Sequence, residues 1–222
     1  MAINTETVTD ADGNAYQTVR IGNQIWTAKN LSTTRFNDGT SIPLVKGKEY
    51  EDEHSYGNCW TPAYCWYDND IRNKEKYGAL YNWATVNTGK LAPKGWHVPT
   101  DEEWMELEAH LILNGYNADG TKQGNKIAKS LAASTDWGSV PNPGAIGNDF
   151  SKNNWSRFSA LPSGWLDEDG FCYGQGEAGY WWSATDASGH SARYVALRND
   201  QDNLWRDCND KRRGFSVRLL LD

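Results

Sequence analysis

Near its carboxyl end the chain reads GYWWSAT at residues 179–185 and GFSVRL at residues 214–219. Both stretches begin with glycine and are rich in the aromatic and β-branched residues typical of β-strands. The segment 186–213 between them is too polar to form a core. Because connecting segments lie outside a rigid scaffold and carry function, we predict a recognition surface over residues 182–212, which favours a binding protein over an enzyme.

The candidate binding residues are the aromatic, charged, hydroxyl and amide side chains of this surface. Trp, Tyr and Arg dominate the energetics of protein interfaces, and strands restrict backbone freedom before contact. We expect the charged members to face solvent, and one of Trp181 and Trp182 to face inward and the other outward. In the alternative, Tyr194, Leu197 and Trp205 alternate into the core. The candidates are Trp182, Thr185, Asp186, His190, Arg193, Tyr194, Arg198, Asn199, Gln201, Asn203, Trp205, Arg206, Asn209 and Arg212.

Composition restricts the classes of partner. The 222 residues carry a formal charge of −7, which argues against a nucleic-acid surface, and the basic run 211–213 is interpreted as a solvated turn. No stretch approaches the ~20 apolar residues of a membrane span. The first nine residues lack the basic and apolar regions of a secretory signal. The 12 Trp and 11 Tyr instead predict an aromatic, loop-rich core.

The amino-terminal half mixes strands and helices. An alternating pattern with a turn at 10–14 predicts a β-hairpin over 7–21, followed by a strand at 24–26. Residues 37–75 are predicted to form a long surface excursion pinned by aromatic side chains, and residues 77–86 a short helix. Thr100 and Glu103 form a capping-box pattern at the start of the clearest helix, which Asn114-Gly115 ends.

Strand signals dominate the carboxyl-terminal half. A weaker helix is predicted over 126–133 and a loop over 137–154, followed by a strand at 158–165 and a hairpin turn at 167–170. Strands at both ends with helices between them indicate an α+β fold.

Cysteine and acidic patterns leave two structural questions open. Four cysteines without paired zinc spacing are predicted to be free thiols, and pairing of Cys59 with Cys65 or of Cys172 with Cys208 is the alternative. Asp10, Asp12 and Asn14 resemble the start of a calcium loop, but no acidic residue stands at its twelfth position. A turn is therefore preferred, with a structural calcium ion as the alternative and no other cofactor expected.

The residues give no support to catalysis. His54, His97, His110 and His190 show no metal-ligand spacing, and His97 is interpreted as a satisfied core residue. No nucleophile elbow, phosphate loop or dinucleotide fingerprint occurs. The carboxylates of 167–169 are interpreted as a solvated hairpin tip. We therefore predict a protein that is not an enzyme.

An ordered series of motifs resembles the Fibrobacter succinogenes major paralogous domain over nearly the whole chain. The motifs are IGNQxW at 21–26, YGxLYNW at 77–83, PxGWHVPTxxEW at 93–104, FSALP at 158–162, GYWWS at 179–183 and GFSVR at 214–218. This family is similar in fold to C-type lectins, to formylglycine-generating enzymes and to variable proteins diversified by retroelements.

The resemblance implies one C-type-lectin-like domain over residues 1–222, with a twisted antiparallel sheet, two main helices and long irregular loops. It implies an adhesin-like protein that presents the carboxyl-terminal surface to a protein or glycan receptor, with retroelement diversification of that surface left open. The alternatives are a formylglycine-type oxidase using Cys208 and a structural module of a surface or phage tail assembly. Oligomerisation is left open.

Two positions at which this chain differs from the family bear on where in the cell the protein folds. Members commonly carry cysteines where this chain has Ala92 and Leu219, so the usual disulfide is missing. An absent disulfide fits assembly in a reducing cytosol, as for a phage tail component. We expect an extracellular, cell-surface or virion-borne protein.

Overall fold

The structure is a computed structural model and describes residues 7–46 and 60–222. Cys59, His54 and the acidic run 49–53 lie outside these residues. The described chain is α+β, with curled and mostly antiparallel sheets and few helices, as predicted. None of the helices within the described ranges is both long and apolar enough to cross a membrane.

Strands from both ends of the chain build the first sheet. The predicted hairpin is present, because the carboxylate of Asp10 accepts hydrogen bonds from the backbone amides of Asp12 and Asn14 and from the hydroxyl of Tyr16. These bonds define a tight turn. The strands of this sheet are β1 (Thr7–Thr9), β2 (Ala15–Ile21), β3 (Gln24–Thr27), β6 (Trp96–His97) and β12 (Leu220–Leu221). Their order in the sheet is β1-β2-β3-β12-β6.

The second sheet contains the predicted recognition segment. Its strands are β7 (Ser163–Leu166), β8 (Cys172–Gln175), β9 (Ala178–Asp186), β10 (Ser191–Arg198) and β11 (Trp205–Asp210). Their order is β11-β10-β9-β7-β8, and all neighbours are antiparallel except β7 and β9. The predicted hairpin turn at 167–170 joins β7 to β8. In place of the one twisted sheet that the family resemblance implies, the described residues form two five-stranded sheets.

The region between the sheets has shorter elements than predicted. The helix expected over 77–86 is wrong, because the chain pairs as a strand at Leu80 and resumes one helical turn only after Asn82 caps it. Single 3-10 turns occupy 67–69, 71–73 and 150–152. The elements are β4 (Tyr64–Cys65), α1 (Lys74–Tyr77), β5 (Leu80–Tyr81) and α2 (Trp83–Val86).

Only one of the two main helices implied by the family is long. Helix α3 (Asp101–Leu113) begins with the predicted capping box, in which Thr100 and Glu103 exchange hydrogen bonds. The predicted second helix is the single turn α4 (Ala128–Leu131). It ends there because Ala132 adopts extended backbone and pairs with Ala160.

Two hydrophobic clusters cover the two faces of the second sheet. Trp182 belongs to one cluster and Trp181 to the other, which also contains Trp104 of α3. Both β9 tryptophans are at most 1% exposed. The expectation that one of them faces solvent is wrong, because a sheet buried on both faces leaves no wet side for β9 in this region.

The closing stretch 214–219 is buried and extended but is not a regular strand. It makes isolated bridges from Phe215 to Tyr81 and from Ser216 to Trp181. Its Arg218 is 1% exposed, and the guanidinium donates hydrogen bonds to the carbonyl oxygens of Thr27, Phe158 and Ser159. This side chain joins the first sheet to the loop before β7.

His97 links α3 to the carboxyl end of the chain and is not the core residue that the sequence suggested. Its half-buried ring lies 2.8 Å from an oxygen of Glu103 and 2.7 Å from an oxygen of Asp222. Partial burial opposes the charged imidazolium, but the hydrogen bonds that its ring donates to Asp222 and Glu103 outweigh this effect and raise the pKa of His97.

We expect His97 to stabilise the fold in a pH-dependent manner. Because its folded pKa lies above the unfolded value, its contribution is full below about pH 6.5 and is lost as the pH rises through the folded pKa. The effect should not exceed about 1 kcal/mol, because solvent screens the pair. Urea unfolding of the wild type and His97→Gln at pH 5.5 and 8.5 measures it. A stability gap that stays constant with pH would contradict this role.

Candidate functional site

A cleft of about 490 Å³ lies on one face of the second sheet. Its size is within the range of small-molecule sites. Aromatic, amide and charged side chains share its wall, and five of them are residues that the sequence predicted for binding. The lining residues are Tyr180, Tyr194, Ala196, Arg198, Gln201, Asn203, Trp205 and Asp207.

Strand pairing sets the floor of this cleft. Ala196 on β10 is paired with Tyr180 on β9 and with Trp205 on β11. Directly paired residues point to the same face of a sheet, so the small Ala196 lies between two aromatic rings. Trp205 is on the edge strand and 53% exposed, which excludes the alternative that it turns into the core. Its exposed ring is therefore available for contact.

Tyr194 forms the bottom of the cleft and joins it to the core. Its side chain is only 7% exposed, as the alternative interpretation anticipated, and its ring packs 5.6 Å from Tyr180 and 5.3 Å from Phe215. Burial raises the pKa of Tyr194 to about 12, so the phenol stays protonated at neutral pH. The phenol can therefore donate a hydrogen bond.

Trp182 is not part of the cleft. Its ring lies 4.3 Å from that of Phe215, and its Nε1 donates a 2.8 Å hydrogen bond to the carbonyl oxygen of Tyr81. The predicted binding role of Trp182 is therefore corrected to a structural role. Strand alternation alone could not reveal this, because the face of Trp182 is wet at one end and covered at the other.

The arginines of the segment divide between the two faces of the sheet. Arg198 lines the cleft and is exposed, as expected. Arg206 instead faces α3, where it lies 3.5 Å from Asp101 and 3.2 Å from Glu108. The expectation that Arg206 faces solvent is wrong, because these carboxylates hold it against the helix. Arg193 is exposed and shares the face of Arg206, since its cross-strand neighbour is Cys208.

A second group of candidates lies at the far end of the β9–β10 hairpin. Thr185 accepts a hydrogen bond from the backbone amide of Asp101, and Asp186 pairs with Lys211 at 2.8 Å. The ring of exposed Trp60 lies 5.6 Å from that of His190 and 5.1 Å from the guanidinium of Arg212. These residues are separate from the cleft lining. The structure does not bring the two groups into one site.

Two amide candidates act locally. Asn199 donates a side-chain hydrogen bond to the carbonyl oxygen of Gly138 and fixes a loop. The side-chain oxygen of Asn209 accepts a hydrogen bond from the backbone amide of Asp210 within β11. Neither lines the cleft.

The sequence analysis missed three lining residues, Tyr180, Ala196 and Asp207. Tyr180 was interpreted only as part of a strand. It lies two residues before Trp182 in β9, so both side chains point to the same face of the sheet. Asp207 lies two residues after Trp205 in β11, so the period of two places both on one face. That period was the available signal.

Cys172 and Cys208 do not form a redox pair at the cleft. Cys172 and Cys208 are free thiols on β8 and β11, the opposite edges of the second sheet, so their suggested pairing is wrong. Cys65 is buried, and its suggested partner Cys59 lies outside the described residues. Within the described ranges, no three His, Cys, Asp or Glu side chains form a metal-binding group. The oxygens of Asp10 and Asp12 accept hydrogen bonds from protein donors.

Comparison with known proteins gives one match. Residues 19–220 match the model of the Fibrobacter succinogenes major domain family. No curated protein and no solved structure shows significant similarity to the chain.

Proposed function

We propose that this chain, which belongs to the Fibrobacter succinogenes major domain family, is a non-enzymatic, adhesin-like protein that captures a protein or glycan receptor. The cleft beside Trp205 is the proposed binding site. The observation that carries the proposal is the convergence of exposed Trp205 and Arg198 with the amides of Gln201 and Asn203 around one cavity. Trp and Arg are enriched in binding hot spots, and the two amides can donate and accept hydrogen bonds beside them.

The rigidity of the cleft supports this proposal. Its floor strand β10 is paired along both edges, and the rings of Tyr180 and Tyr194 pack on Phe215. Side chains held in this way lose little conformational entropy when a receptor binds.

We propose a C-type-lectin-like fold, with the cleft displayed outside the cell or on a phage tail. The family resemblance supports this fold, as do two curled sheets and the pairing of β12 with β3. The exposed cleft positions also suit diversification, because substitutions at exposed positions usually change stability by less than about 0.5 kcal/mol.

Replacement of Arg198, Gln201 and Trp205 by alanine tests the site. We expect the triple variant to lose capture on an array of glycans and surface proteins, while each change alters the free energy of unfolding by less than about 0.5 kcal/mol. A matched control replaces Arg20, Gln17 and Trp155, which are also exposed, and should keep capture. Capture that survives in the cleft variant would place the site elsewhere.

A further inference from the structure

A row of aromatic side chains continues from the cleft across the whole second sheet. Tyr180 and Trp205 are joined through Ala196, as described above. On the other side of Tyr180, β7 and β9 pair through Gly164 and Gly179, which brings Trp165 next to Tyr180. Trp165 is in turn paired directly with Tyr173 on β8. The row therefore crosses all five strands and extends well beyond the predicted recognition segment.

Ring contacts make this row continuous on the β8 side of the cleft. The ring centroid of Trp165 lies 5.7 Å from that of Tyr173 and 4.8 Å from that of Tyr180. A Cβ atom on Gly174 would lie 2.3 Å from the indole of Trp165, so this glycine leaves the space that the ring fills. The ring of Trp165 therefore lies close over the backbone of β8.

The row is long and partly open to solvent. Its four strand-to-strand steps of about 4.8 Å give a length of about 19 Å. The terminal residues Tyr173 and Trp205 are 46% and 53% exposed, and Trp165 and Tyr180 between them are half-buried. A ligand that touches both ends must be extended.

Polar groups of both charges flank the row. On β10, Tyr194 lies two residues before Ala196 and Arg198 lies two residues after it. Because Asp207 is paired with Tyr194, the negative charge of Asp207 and the positive charge of Arg198 lie on opposite sides of the row. The amides of Gln201 and Asn203 add both donors and acceptors to the cleft. A polyanion would meet Asp207 on a chain of net charge −7, and a polycation would meet Arg198. An uncharged ligand rich in hydroxyl groups matches this set.

We infer that the row binds a linear, neutral polysaccharide whose successive sugar rings stack on Trp205, Tyr180, Trp165 and Tyr173. This inference rests on the proposed function and names the receptor class as a glycan. The apolar faces of sugar rings cover flat aromatic rings, while their hydroxyl groups keep the polar side chains of the cleft hydrogen-bonded. A linear polymer presents apolar sugar faces along its whole length, so it can contact rings on several strands at once and pass over Ala196 between Tyr180 and Trp205.

Calorimetric titration of the full chain with saccharides of two lengths tests the inference. The probes are the β-1,4-linked hexasaccharides and disaccharides of glucose and of mannose, with a hexasaccharide of galacturonic acid as the charged comparison. We expect a neutral hexasaccharide to bind more tightly than its disaccharide and than the galacturonic acid oligomer. Tyr173→Ala should weaken hexasaccharide binding about tenfold and leave disaccharide binding unchanged, because only the longer chain reaches β8.

Trp205→Ala should weaken binding of both lengths, and Trp155→Ala, which removes a ring 70% exposed outside the row, should change neither. Trp165→Phe, which keeps a ring in the packed position, should weaken only hexasaccharide binding. Equal affinity of wild type and Tyr173→Ala for the hexasaccharide would overturn the inference, as would failure of every neutral oligosaccharide to bind. If the cleft triple variant still loses array capture in that case, the proposed function stands and its receptor is not a neutral polysaccharide.

Discussion

Replacement of Arg218 by methionine is expected to lower the free energy of unfolding by about 3–5 kcal/mol, because several buried hydrogen bonds are lost together. The guanidinium donates to the carbonyl oxygens of Thr27, Phe158 and Ser159 and to the side-chain oxygen of Asn30, at 2.7 to 3.1 Å. Methionine fills much of the volume but donates no hydrogen bond. Urea unfolding followed by far-UV circular dichroism measures the loss.

The Arg218→Lys variant separates charge from geometry. Lysine keeps the positive charge but cannot reproduce the planar fork of the guanidinium, so it should recover only part of the lost stability. Burial lowers the pKa of Arg218, because the charged guanidinium loses its hydration. If the methionine variant is destabilised by less than about 1 kcal/mol, the hydrogen bonds of Arg218 do not stabilise the junction between the first sheet and the loop before β7.

The second large effect is expected at Trp182, where substitution by alanine should lower the free energy of unfolding by about 3–5 kcal/mol. The change removes a fully buried ring and leaves the carbonyl oxygen of Tyr81 without its indole donor. Trp205→Ala should cost less than about 0.5 kcal/mol, because that ring is exposed. Thermal and urea unfolding of both variants provides the comparison.

Receptor capture should show the opposite order. Trp205→Ala loses capture under the proposed function, whereas Trp182→Phe, which preserves a packed ring, keeps it. A variant of Trp182 that stays fully stable but loses capture would return this residue to the binding site.

Local signals in the sequence predicted the elements that depend on local bonds. The turn at Asp10 and the capping box of Thr100 and Glu103 each satisfy backbone groups within a few residues, and both are present as predicted. The helix expected over 77–86 was wrong because its pattern competes with non-local pairing of Leu80 with Cys65. Tertiary contacts override weak helical propensity in such short segments.

The site was predictable in part. The segment 182–212 contains much of the cleft, but its alternation could not show which end of each face is covered. Trp182 and Arg206 were therefore predicted to bind a ligand. In the structure Trp182 packs in a hydrophobic cluster, and Arg206 forms an ion pair with Glu108 of α3. The β7–β8 hairpin could have revealed the pairing of Trp165 with Tyr173. The parallel contact between Gly164 and Gly179 has no comparable signal, since no short turn connects those strands.

The first sheet cannot form fully until β12 inserts between β3 and β6. The hydroxyl oxygen of Thr27 accepts a hydrogen bond from the backbone amide of Leu219, a residue 192 positions further along the chain. During translation the edge of β3 that pairs with β12 stays unpaired until β12 has left the ribosome. Contacts between residues so far apart in the sequence slow folding, and until they form, the unpaired strand edges can promote aggregation. Removal of β12 should therefore leave the facing edges of β3 and β6 unpaired and prevent completion of the first sheet.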